Sequence, residues 1–211
     1  MSTLHYLYDP FCAWCYGAAP MIDAARGVAG LAIQPHGVGM LSGDKARFMG
    51  ADWRDFVRPH EERVTQLTGQ PFGVAYTDGI QEREDVRLDS SVPIVAMLVA
   101  EELAGRGVEL LERLHSAYFQ EGREVADPQV AIELAAEIGL DRQAFAERFA
   151  AFTGDELKAH LRDSQGWMQR LQARGFPAFA LEHDGRLEVL PVGHYLSHPE
   201  RFKEKLQSLL A

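Results

Sequence analysis

The stretch Leu4-His5-Tyr6-Leu7-Tyr8-Asp9-Pro10-Phe11-Cys12-Ala13-Trp14-Cys15-Tyr16-Gly17 decides how this chain is read. Leu4 to Tyr8 are aliphatic and aromatic residues suited to a strand buried on at least one face, and Asp9-Pro10 stops it. Beyond the two cysteines, the apolar positions Met21, Ile22, Ala25 and Val28 recur at helical spacing, with Gly30 as a stop. The cysteines therefore fall where a strand feeds a helix. Leu31 to Val38 reads as a second strand, which Pro35 confines to an edge or an end of a sheet. The first 38 residues read as βαβ.

Only two cysteines occur in 211 residues, so no disulfide scaffold carries the fold. Cys12 falls at the helix N-terminus, where unpaired backbone N–H groups favour a thiolate, the nucleophile of disulfide exchange. Cys15 lies one turn inward, within reach to resolve a mixed disulfide formed at Cys12. A stabilising bridge is a poor use of the pair: so small a loop yields only about 2 kcal/mol, against nearly 5 for a loop of about 100 residues. Zinc would need two further ligands. There is no second cysteine pair, and none of the eight histidines has a Cys-adjacent spacing; most read as surface or boundary residues.

Residues 41 to 174 read as a helical block. Ser91 with Pro93 opens a helix that Gly105 closes, Val108 to Glu121 carries another, and Asp127-Pro128 is an N-cap and N1 pair. Asp141 and Asp155 begin two more, the last running to Gly175 with an interruption at Gly166. Gly69 to Asp89 reads only as loop. Strand character returns at Phe176 to Leu181, Asp184-Gly185 turns into Leu187 to Leu190, and Ser197 caps a closing amphipathic helix. The expected organisation is a discontinuous α/β domain, residues 1–40 and 175–211, with residues 41–174 as a helical insertion domain packed on it.

The net charge of -10 argues against broad nucleic-acid binding. The longest apolar run, Val92 to Ala100, holds nine residues and is too short to span a membrane. The N-terminus lacks a basic, apolar leader, so a cytoplasmic protein is expected, where a lone dithiol serves catalysis or sensing. Gly37-Val38-Gly39 has Ser42 where a dinucleotide fingerprint needs glycine, so no nucleotide is implied.

Asp9-Pro10-Phe11-Cys12-Ala13-Trp14-Cys15-Tyr16-Gly17 and Gly175-Phe176-Pro177-Ala178-Phe179, in this order of elements, resemble the DsbA-like thioredoxin-fold family, in its cytosolic FrnE-like and protein-disulfide isomerase branch. The resemblance implies a thioredoxin-like fold with a large all-helical insertion. It implies Cys12 as attacking thiolate, Cys15 as resolving thiol, and Pro177 in cis opposite them, with Phe176 offering its backbone to substrate. Read from the residues alone, Pro177 equally begins an edge strand, and Phe11, Trp14 and Phe176 serve a substrate surface or the core equally well. Asp9 reads as a turn residue.

Ala13-Trp14 stands where periplasmic DsbA has Pro-His, so the imidazole that steadies its thiolate is missing from the motif. A less oxidising disulfide is expected. The function expected is a thiol–disulfide oxidoreductase or isomerase acting on protein or peptide thiols and disulfides. It requires no metal or cofactor, with glutathione or a thioredoxin-type reductant as its partner. Two alternatives are a glutathione-dependent isomerase or transferase related to hydroxychromene-carboxylate isomerase, and a redox-sensing binding module.

Overall fold

The computed structural model describes residues 2–210. The chain runs β1 (Ser2–Tyr8), α1 (Ala13–Gly17), α2 (Ala19–Arg26), β2 (Leu31–Gly37), β3 (Arg47–Phe48), α3 (Ala51–Thr68), β4 (Arg87–Leu88), α4 (Ser91–Ala104) and α5 (Gly107–Phe119). It continues through α6 (Pro128–Glu137), α7 (Arg142–Ala151), α8 (Gly154–Arg170), β5 (Ala178–His183), β6 (Arg186–Leu190) and α9 (Pro199–Leu210).

Both ends of the chain build one sheet in the order β2-β1-β5-β6. β1 is parallel to β2 and antiparallel to β5, with Leu4 opposite Leu181 and Tyr6 opposite Phe179. Pro35 lies in β2, the outer strand, as its missing N–H requires. Asp184 and Gly185 both take positive φ, 49° and 73°, which suits the tight turn between β5 and β6.

Alternation along β1 sends its side chains to two faces. Leu4, Tyr6 and Tyr8 join Met21, Ile22 and Ala25 of α2 and Phe202 and Leu206 of α9. Leu7 joins Ala180 and Leu171 on the other face, with Trp167 and Met168 of α8 packed against them. A separate aromatic-rich core holds Tyr76, Tyr118, Phe119 and Phe145 with the apolar faces of α4 to α7. α1 stands at the seam: Ala13 and Tyr16 belong to the helical core, while Cys12 and Cys15 belong to the sheet's core.

Side-chain caps mark the starts of α6, α7 and α8. Asp127 accepts from Gln129 N and Asp141 from Ala144 N, both at 2.8 Å. α8 begins earlier than the sequence suggests: Thr153, not Asp155, caps it, in a reciprocal box with Glu156. It passes Gly166 unbroken and ends at Arg170, short of Gly175. The segment read as plain loop contains a π turn at Ala75–Gly79, a 3-10 turn at Ile80–Glu82, and β4, which pairs with β3. The closing helix starts at Pro199 rather than at Ser197.

Candidate active site

Cys12 is the N-cap of α1, with extended backbone angles (φ -86°, ψ 111°), and its Sγ accepts from Cys15 N at 3.3 Å. Its amide is tied to Asp9 O at 3.1 Å. The loop after β1 thus folds back to aim the first thiol along the helix start, satisfying a donor that would otherwise be unpaired. Both cysteines are free thiols. Cys12 is 7% exposed and Cys15 1%. Burial pushes the Cys15 thiol well above its ordinary range, and the neighbouring Cys12 thiol pushes it further.

Opposite the dithiol, the Phe176-Pro177 peptide is cis, and Cys12 Sγ donates to Phe176 O at 3.7 Å. Both residues are half-buried. The two motifs are therefore adjacent in space although 164 positions separate Cys12 from Phe176.

A mostly apolar groove of about 290 Å³ opens over Cys12, lined among others by Phe11, Trp14, Phe176 and, from α3, Trp53, Phe56 and His60. Phe11 is only 5% exposed and sets its ring edge-on to Tyr118 at 4.9 Å, so its main role is packing. Trp14 donates from its indole N–H to His60 Nδ1 at 3.2 Å. An imidazole therefore does reach this groove, from the helical block rather than from the motif. Its Nδ1 is occupied as the acceptor of the indole N–H.

Asp9 does more than make a turn. It accepts from Phe11 N at 3.0 Å as a turn residue should, but also from Met40 N at 2.6 Å and Ser90 Oγ at 3.0 Å. The carboxyl is fully buried, and desolvation raises its pKa to about 6 against the pull of those three donors. Its charge raises the Cys15 pKa while its backbone lowers it. His115, buried close by, is held down at about 4 by desolvation.

Most of the histidines lie at the surface or its boundary, as expected, but three are buried: His5, His36 and His115. His5 Nδ1 meets His36 Nε2 at 3.0 Å, and His5 Nε2 meets Glu182 Oε2 at 3.1 Å. Trp167 of α8 stacks on His5 at 3.8 Å. Among the described residues no group of three or more His, Cys, Asp or Glu could hold a metal ion, and no helix is long and apolar enough to cross a membrane.

A pair of thiols one turn apart at a strand-to-helix junction, under a thioredoxin-like sheet and facing a cis-proline loop, defines a thiol–disulfide oxidoreductase. Comparison with protein families narrows the class: the chain belongs to the DSBA-like thioredoxin domain family, whose model matches residues 3–207. Among solved structures it is similar to the cytosolic disulfide reductase DsbM from Pseudomonas aeruginosa, at 47% identity and a TM-score of 0.91 over 98% of each chain. The same protein solved with GSH aligns at 45% identity, with the same score and coverage. A candidate protein disulfide isomerase from Nitrosomonas europaea shares the fold, at 20% identity and a TM-score of 0.79 over 99% of this chain and 98% of that one. No curated protein matches the chain.

Proposed function

We propose that this DsbA-like oxidoreductase works in the cytoplasm as a disulfide reductase on protein or peptide substrates, and that glutathione regenerates it. The asymmetry of the two thiols carries this reading: Cys12 borders the groove, whereas Cys15 is sealed beneath it. The similarity to a cytosolic reductase that has been solved with GSH supports the direction and the partner.

Cys12 Sγ, as thiolate, attacks one sulfur of a substrate disulfide; the other sulfur leaves as a thiolate and takes up a proton. Cys15 then gives up its proton and attacks Cys12 Sγ, releasing the second substrate thiol and leaving a Cys12–Cys15 disulfide. Two glutathione molecules return both electrons and depart as glutathione disulfide. Phe176 and Pro177 hold the substrate strand beside Cys12, and Trp14 supplies apolar surface, while Phe11 mainly packs against Tyr118. Asp9 is a positioning residue: it pins the loop before Cys12 to Met40 and Ser90, and it sets the field in which Cys15 ionises. Residues 41–174 form the inserted unit, and its α3 supplies the outer wall of the groove.

Insulin reduction driven by glutathione tests the assignment together with a Cys15→Ala trap. Mixed disulfides between Cys12 and protein thiols in the trap, and no turnover in Cys12→Ser, are the expected results. A trap carrying no protein, or steady turnover without Cys12, would refute it.

A further inference from the structure

The charge around the dithiol runs against the charge of the molecule. The chain carries 31 acidic and 21 basic residues. Arg26, Arg54, Arg83, Arg113, Arg123 and Arg148 are all held in ion pairs with Glu or Asp side chains. Two grooves meet at Phe176 and Met40, which line both of them. One covers Cys12 and includes Arg174; the other, about 420 Å³, includes Lys45, Gln165 and Gln169. Neither groove has a carboxylate in its lining; Asp44 adjoins Lys45 in the chain but lines neither. Among the described residues Arg174 and Lys45 form no ion pair, and both are exposed. The two grooves beside the reactive thiol thus hold two uncommitted cations and no carboxylate. This charge favours an anionic ligand.

We propose that Arg174 and Lys45 are the specificity residues for the reducing thiol, each docking one terminal carboxylate of a short peptide thiol while its central sulfur meets Cys12. Glutathione has that chemistry: a thiol in the middle and a carboxylate at either end. Phe176 lines both grooves, with its carbonyl beside Cys12 Sγ. Arg174 can bind a carboxylate through two N–H groups, while Lys45 acts as a mobile point charge. This inference rests on the proposal that glutathione is the reductant.

The experiment compares glutathione with its diethyl ester, whose carboxylates are masked, as reductants of the Cys12–Cys15 disulfide. In wild type, kcat/KM should favour glutathione over the ester. Arg174→Glu should lower that preference about tenfold and Lys45→Glu about fivefold, with both preferences shrinking in high salt. Arg186→Glu, on β6 away from both grooves, should leave the ratio as it is. Equal loss of rate with glutathione and ester in the two variants overturns the carboxylate docks. So does an unchanged ratio, although glutathione would then still be the reductant. A wild-type enzyme that dithiothreitol reduces but glutathione does not would overturn the reductant and the docks together.

Discussion

Two buried titratable clusters lie along β1, and they are built to opposite rules. At the end of the strand, Asp9 gathers backbone and hydroxyl donors beneath the dithiol. Midway along it, on the face under α8, His5 and His36 bond to each other and to Glu182, with Trp167 stacked over them. Desolvation raises Asp9 to about 6 and lowers His36 to about 3; His5 is also lowered. The unfolded imidazole ionises near 6.5, so the histidine cluster's contribution is complete above that value and declines as pH falls toward 3. For Asp9 the unfolded value is 3.8. Its contribution favours the folded state below 3.8 and is withdrawn as pH rises through about 6. At neutral pH the gap of about two pH units makes Asp9 a cost of about 3 kcal/mol. Retention of a buried carboxyl at such a cost fits the positioning role proposed for Asp9, whereas the histidine pair favours the neutral fold.

The comparison can be broken at several points. Cys12→Ser should lower turnover at least about a thousandfold. His36→Leu, measured well below its melting temperature in the same assay, should change turnover by less than about twofold. A large loss of activity in the well-folded His36 variant would erase the distinction between the clusters.

His36→Leu should instead lower stability by about 1–3 kcal/mol, because His5 Nδ1 loses its partner. Urea unfolding of the wild type between pH 6.5 and 4 should show an acid-driven loss from the depressed histidines, up to about 1.4 kcal/mol per pH unit for each, set against the opposite contribution of Asp9. The variant should show a shallower fall, and an unchanged slope would contradict the buried pair.

Asp9→Asn should move the other cluster. With the buried negative charge gone, the rise in the rate at which Cys15 resolves a trapped Cys12 mixed disulfide should shift to lower pH by about one unit. A variant with the wild-type pH profile would leave Asp9 as a turn residue alone. The smallest effect concerns potential. No cationic imidazole stands in the motif, and His60 accepts through Nδ1. The Cys12–Cys15 couple should therefore lie at least about 30 mV, or about 1.4 kcal/mol, below the value near -120 mV known for DsbA. Titration against a glutathione buffer measures it.

What was legible in the sequence was local. The dithiol, the strand before it, the Asp127-Pro128 cap and the Asp184-Gly185 turn depend on residues within a few positions of one another, and each formed as its pattern demands. Asp9 was half legible: its bond to Phe11 N is the turn the sequence suggests, but its bond to Ser90 spans 81 positions. Likewise, strand parity puts His5 on the face opposite Tyr6, yet nothing local tells that α8 will cover that face. α3 carries Pro59 within it and no side-chain N-cap, so its boundaries had no strong signal. Its contribution of Trp53, Phe56 and His60 to the groove was hidden for that reason.

The position of α1 on the seam between two cores has an evolutionary consequence. The reacting sulfurs are placed by the strand–helix unit, whereas the outer wall of the groove is placed by α3. Lineages could therefore exchange that wall and acquire new clients while the electron-transfer step descends unaltered. Grafting a foreign segment between Gly50 and Gly69 would be the laboratory version of the same exchange.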